Sequence, residues 1–427
     1  MKKHHSTILL LLAAWLIVAG PAAPTLSGQA AQRLDIQEGK AEKKGRAWVR
    51  ESTCNATARE GGRLTVRADL GSVTIAPGAN DKVECRIRVE VVSSDEALAE
   101  QLKDKHESWL RVSDDGSLTL TGRFPRALPD QHVRNLSIGV TFDIKVPARF
   151  NVDVETRGGS VTVERLEGEL RAVTAAGSIR TGNIAGPTRV ETAGGNIEVE
   201  NIGGRLEART AGGHIRTGDV QGDAVLETSG GRIQTGRVAG ALRAGTAGGD
   251  IVVGGTTRDV IALTAGGKIR LGDIGGRVRA ETAGGSIFLE TAIGPVQVQT
   301  AGGSIHLVRV ASGVHAVTTA GSIQAQIAAT RESFQPSLLK TSFGDVVVYL
   351  PDDLPLTIDA EILQSSGHTI KTDFPLQVTA DTGYGPRTVE GRGELNGGGE
   401  VLRIRTTMGN ILIRKAVAQA PLTGRKP

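Results

Sequence analysis

The sequence predicts an all-β protein: a single-stranded parallel β-solenoid with 18-residue coils, a β-rich N-terminal cap containing one short helix, and irregular C-terminal coils. Three observations carry that expectation. A threonine recurs every 18 residues at Thr156, Thr174, Thr192, Thr210, Thr228, Thr246, Thr264, Thr282, Thr300 and Thr318, with no insertion. A glycine follows each threonine by three residues and a β-branched aliphatic by five, from Gly159 and Val161 to Gly321 and Ile323. Within each unit the residues alternate with period two, as strands with one buried face must.

One unit shows the logic. From Thr192, Ile197 and Val199 face one way and Glu198 and Glu200 the other; Ile202 precedes a Gly203-Gly204 turn, and Leu206, Ala208 and Thr210 resume the inward face. A unit of two short strands and two turns cannot bury its own apolar side, so the units must stack. Stacking at about 4.8 Å per coil makes ten coils a rod on the order of 50 Å long. Each buried isoleucine contributes roughly 1.5–3 kcal/mol before entropy is counted. The corner glycine is expected at positive φ. The corner threonines are expected to form hydroxyl ladders with the coils above and below. A hexapeptide helix would need an inward aliphatic every six residues, whereas the inward offsets from threonine are 0, 5, 7, 10, 14 and 16. A flattened two-sheet coil fits better, and the crossover rule favours right-handed winding.

Composition agrees. The 57 glycines lack a Gly-x-y period and come with only 15 prolines, which excludes collagen. Hydrophobic residues make up 39% and aromatics 3%, so the core must be aliphatic. Residues 1–31 read as a secretory signal peptide, with Lys2 and Lys3 before the apolar run from Ile8 to Ala19 and a cleavage site near Gly28-Gln29-Ala30. An uncleaved anchor is the alternative. Without the signal the formal charge falls from +4 to +2, and no basic stripe suggests nucleic acid. In an oxidising compartment Cys54 and Cys85 are expected to pair, buried free thiols being the alternative. Closing a loop of about 30 residues would contribute roughly 3–4 kcal/mol.

Residues 32–150 form the expected N-terminal capping region, 151–326 the regular solenoid, 327–415 irregular C-terminal coils and cap, and 416–427 a disordered tail. Capping is required because a solenoid otherwise ends in open strand edges. In the N-terminal region strands are expected at Leu64 to Ile75, Val83 to Val92, Ser117 to Thr121 and Val140 to Val146. Ser93-Ser94-Asp95-Glu96 resembles a capping box opening a helix packed through Leu98, Leu102 and Trp109. Beyond Gln326, the segments from Thr341 to Val346 and from Thr406 to Ile411 are degenerate copies of the corner.

The run Val140 to Pro147 leading into Val152 to Val161, the repeated TAGGxI corners, and the late corners at Gly344 and Gly409 resemble the bacterial putative-adhesin β-solenoid family, an exported domain of unknown function. The resemblance covers roughly residues 60 to 415. It implies an exported, envelope-associated bacterial protein and carries over no catalytic residue. The family's name suggests adhesion.

The residues themselves offer little chemistry. Glu191, Arg209 and Glu227 share one outward column and Arg180, Glu198 and Arg216 another, which reads as cross-strand charge pairing. His214, His306 and His315 do not assemble a metal set. Serines in the corner turns have no His and acid at a plausible offset, and the Gly-Gly pairs lack the strand-to-helix context of a phosphate loop. No catalytic residue, cofactor or metal is expected. Between Thr156 and Ser322 the only aromatic is Phe288, too few for a stacking platform. Val252, Ile261, Leu263 and Phe288 stand at outward positions that are polar in most coils. They read as one apolar patch, either covered by the C-terminal segment folding back or used as a partner or self-association surface.

The expected function is therefore a non-enzymatic, exported cell-envelope protein presenting a rigid surface for adhesion or scaffolding, in the periplasm or at the cell surface. Its partner would be a protein or a surface polysaccharide of the envelope, with no stable membrane span once the signal is removed. A self-assembling filament protein and a carbohydrate-binding or carbohydrate-active β-helix are the alternatives.

Overall fold

A computed structural model of the chain describes residues 32–34, 36–124, 136–381 and 387–416. The expected signal segment and residues 417–427 of the expected tail lie outside the described residues.

The structure is a parallel β-solenoid. Each repeat contributes one strand to each of two sheets. One sheet, here the T sheet, holds the strands that run up to the corner threonine, such as Leu206–Thr210; the other, the I sheet, holds those that begin with the aliphatic, such as Ile233–Val238. Every repeat pairs in parallel with its counterpart 18 residues away, as Leu206 does with Ala224 and Ile233 with Ile251. In the unit from Thr192, all six inward positions (Thr192, Ile197, Val199, Ile202, Leu206 and Ala208) are buried. A one-residue slip would expose the whole set, so the alternation locks the register.

The corner works differently from expectation in two respects. The glycines from Gly159 to Gly321 do not have left-handed φ; only Gly71, Gly344 and Gly409 do among the corner glycines, at 133°, 148° and 153°. What excludes a side chain in the repeats is the next coil. A Cβ on Gly177, Gly213 or Gly231 would run into the carbonyl oxygen of the corner glycine one coil earlier. The threonines, likewise, do not bond to one another. Thr228 Oγ1 donates to the Gly213 carbonyl at 2.8 Å and accepts the Gly231 N–H at 3.2 Å. The same two bonds recur in the repeats on either side, for example at Thr210 and Thr246. Thr341 and Thr406 donate in the same way to Gly321 and Gly344. A buried carbonyl left over by the tight turn is thus satisfied from the adjacent coil.

At both ends, order in space departs from order in sequence. Arg63–Ala68 and Ser72–Pro77 form a coil that pairs with Asn151–Thr156 and Val161–Leu166. The later strands Leu118–Arg123 and Ser137–Val146 pair on its other side, so the first coil is enclosed. The expected single strand Leu64 to Ile75 is therefore two strands around a corner at Gly71. At the far end Val401–Met408 and Ile411–Lys415 slot between the coil of Ser337–Phe343 and Val346–Leu350 and that of Leu356–Ile362 and Ile370–Thr372. Antiparallel strands close each end: Ala47–Thr57 with Lys82–Val92, and Val389–Leu395 with Gln377–Ala380.

The helix spans Glu96–Leu102, with Asp95 capping the Leu98 N–H; Ala99 and Leu102 are buried. Trp109 belongs instead to the strand Glu107–Val112. Its alternation is short and is obscured by Ser108 on the buried side and Trp109 on the outer side, which hid the strand from periodicity. Cys54 and Cys85 face each other across the antiparallel pair and form a disulfide, with Cα atoms 5.0 Å apart. His106, which sequence did not single out, is 2% exposed and packs against Phe124 and Phe142 with neither ring nitrogen hydrogen-bonded. Its carbonyl accepts from the buried Arg50, which pairs with Glu38 and Asp104. Burial, and then the Arg50 charge, lower the imidazole from 6.5 to about 4.

Two outcomes follow. Gly231→Ala is expected to cost more than about 2 kcal/mol in urea unfolding, whereas Gly230→Ala, where the nearest atom would be 3.7 Å away, is expected to be tolerated. Below pH 6.5 the unfolded chain takes up a proton that folded His106 refuses until about pH 4. Stability is then complete above 6.5 and falls toward pH 4, by on the order of 3 kcal/mol. His106→Leu should flatten that slope by one proton; an unchanged slope in pH-dependent urea melts would refute the assignment.

Candidate functional surface

Outward side chains form straight columns on two opposed faces. On the T sheet the charges close on each other. Arg67 grips Asp153 with both guanidinium nitrogens at 3.2 Å, and Arg171 reaches the same carboxylate at 2.9 Å. Burial pushes the Asp153 carboxyl up, but these two guanidiniums outweigh it and hold it below the usual value. Further along, Arg189 joins Glu191 at 2.6 Å and Glu207 at 3.6 Å, Arg209 joins Glu207 and Glu227, and Arg243 also reaches Glu227. Glu191 and Arg209 are register partners, as expected, but Glu191 pairs with Arg189 in the neighbouring column, whereas Arg209 pairs both with Glu207 beside it and with Glu227 in its own column. A hollow of about 300 Å³ near Arg171 and Pro187 lies on this face.

The I sheet is different. Arg180 meets Glu198 at 2.8 Å, but the column continues through Arg216, Gln234, Val252, Arg270, Phe288 and His306. Phe288 is sandwiched: the His306 ring stacks on it at 5.4 Å and 6°, and the Arg270 guanidinium lies 5.0 Å from its centre. Two positions further along each strand, Gly218, Gly236, Gly254 and Gly272 replace side chains in successive coils. A trough of about 790 Å³ runs beside this column past Gly182, Gly218 and Gly236.

The four expected interface residues are all half-buried, but the structure divides them. Val252 and Phe288 lie on the I sheet, separated by Arg270, whereas Ile261 and Leu263 lie on the T sheet between Arg243 and Arg279 and between Gly245 and Glu281. They are two sites on opposite faces because even and odd strands of the chain alternate between sheets. The C-terminal strands extend the stack and do not fold back over either site. The most exposed large apolar side chain among the described residues is elsewhere: Phe343 (53%) is the register partner of Met408 (36%) at the degenerate corners, where the repeats carry glycine or alanine. That substitution was visible in the sequence.

His214 accepts the Arg232 N–H at Nδ1, 2.9 Å, in a corner column where Asn196 and Asp250 serve the same purpose for the following coil. It is a backbone-satisfying residue. His315 lies on the T sheet, away from His306. Among the described residues no three His, Cys, Asp or Glu side chains are grouped to hold a metal. No described helix is long and apolar enough to cross a membrane.

No family model and no curated protein matches the chain. Among solved structures it is similar to a putative adhesin from Bacteroides fragilis, with a TM-score of 0.29 and 14% identity over 58% of this chain and 96% of that one. It is also similar to a putative cell adhesion protein from Clostridium sporogenes, with a TM-score of 0.13 and 10% identity over 86% of this chain and 100% of that one. A third is a putative lipid binding protein from Parabacteroides distasonis, with a TM-score of 0.19 and 13% identity over 70% of this chain and 96% of that one.

Proposed function

We propose that this chain is an exported, non-enzymatic protein of the cell envelope that presents the two long faces of a rigid rod for adhesion or scaffolding contacts. The observation that carries the reading is the unbroken 18-residue register, which holds each outward column straight through coil after coil. Such a surface supports many weak contacts spread along a partner, and the two faces differ enough in charge to meet different partners. Ile261 and Leu263 are the apolar contact points we assign to the T sheet. Growth of filaments end to end is a weaker reading, because antiparallel strands close both ends of the stack.

Localisation tests the proposal. Cells carrying the chain with a C-terminal epitope tag are expected to lose the tag to protease added outside. A tag protected until the outer envelope is opened would remove adhesion and leave scaffolding within the envelope. A tag that fractionates with cytoplasm would overturn the reading.

A further inference from the structure

We infer that the I-sheet face between His214 and Asp273 is a binding surface for an extended acidic polysaccharide lying along the rod. The inference deepens the presented-surface reading and names a partner for one face.

The two faces differ in how their charges are paired. On the T sheet of these coils, arginine and glutamate neutralise one another, as Arg209, Glu227 and Arg243 do. On the I-sheet side the same stretch carries Arg216, Arg232, Arg237, Lys268 and Arg270, all exposed. None of these five makes an ion pair among the described residues, and Arg270 only stacks on Phe288. Three carboxylates share the face, but Asp219 and Asp250 each give an oxygen to a backbone N–H of the next coil, at 2.8 Å. Exposed cations held on a rigid sheet without partners attract a polyanion.

The shape suits a linear one. Arg216 and Arg270 stand in one column, three coils and about 14 Å apart, while Arg237 stands on the other side of the row from Gly218 to Gly272. A Cβ at any of these four glycines would come within 3.0 Å of the preceding coil, so the row stays bare of side chains. A chain lying along the glycine row from Gly218 to Gly272 therefore has Arg216 and Arg270 on one side and Arg237 on the other, and the planar fork of arginine matches a carboxylate with two parallel hydrogen bonds. Gln234, midway in the first column, offers both donor and acceptor to sugar hydroxyls. Single-stranded nucleic acid is the poorer fit. It needs free aromatic faces for its bases, and both faces of Phe288 are taken by Arg270 and His306.

The test uses the purified chain and three probes: polygalacturonate, neutral dextran and an oligothymidine. Polygalacturonate is expected to bind in a salt-sensitive manner and dextran not to bind. The combined variant Arg216→Gln, Arg237→Gln, Arg270→Gln should lose at least tenfold in affinity, and Arg243→Gln with Arg279→Gln on the T sheet should lose less than twofold. Gln234→Glu, which sets a carboxylate of the same shape in the Arg216 column as Glu198 does two coils earlier, should also lose at least tenfold. That variant keeps the test decisive if the triple variant folds poorly. Absence of polygalacturonate binding, wild-type affinity in Gln234→Glu, or tighter binding of oligothymidine would overturn the inference. The tag-shaving result is independent, so a failure here leaves the localisation reading standing, and the reverse.

Discussion

The close approach of successive coils at the Thr–Gly corner is the contact on which the rest of the rod depends. A glycine there lets one backbone sit against the carbonyl of the coil before it, and the threonine three residues earlier satisfies that carbonyl and the glycine's own N–H together. Any side chain at the glycine would push the coils apart beyond the spacing at which strands hydrogen-bond. Any loss of the hydroxyl would leave buried backbone groups unpaired at a cost of about 1–3 kcal/mol each. Because the device recurs in every coil, small local terms fix both the spacing and the register of the whole stack.

With the register fixed, the interior can be filled by aliphatic residues alone. Six inward positions per coil interlock between two sheets, and the outward positions are released from any packing duty. The second corner uses a different solution. There Asn201 accepts the Asp219 N–H and Asp219 the Arg237 N–H, so side-chain oxygens satisfy the backbone of the following coil. Both corners thus close the hydrogen-bond account that a turn opens.

The two faces use their freedom unequally. On the T sheet, alternation of sign between neighbouring coils turns charge into cross-strand pairs, each worth a few tenths of a kcal/mol and together a soluble, neutral wall. On the I sheet, beyond the Arg180–Glu198 pair, the columns hold cations, a stacked aromatic and glycines, which do not compensate one another. The closed ends complete the design: enclosing the first coil and inserting the last one inside the stack leaves antiparallel strands at each end, which manage the edge problem by cover.

Sequence by itself determined the repeat, because an 18-residue period with alternating burial admits one register of stacking, and the buried positions at Thr192, Ile197, Val199, Ile202, Leu206 and Ala208 follow from that period. The helix start was legible from Asp95 and the late corners from Gly344 and Gly409, since capping and turns are local. The reason for the corner glycine was not, because it lies in a carbonyl 18 residues away rather than in its own φ. The split of Val252 and Phe288 from Ile261 and Leu263 was legible, since the first two follow their corner threonine by 6 residues and the others follow Thr246 by 15 and 17, on the unit's second strand; reading them as one patch overlooked it. The enclosed first coil, the inserted last coil and the buried His106 between Phe124 and Phe142 were decided by tertiary structure alone. Outside the repeat no period constrains which strands meet, and only the requirement to cover open edges and exclude water from the ends selects the pairing.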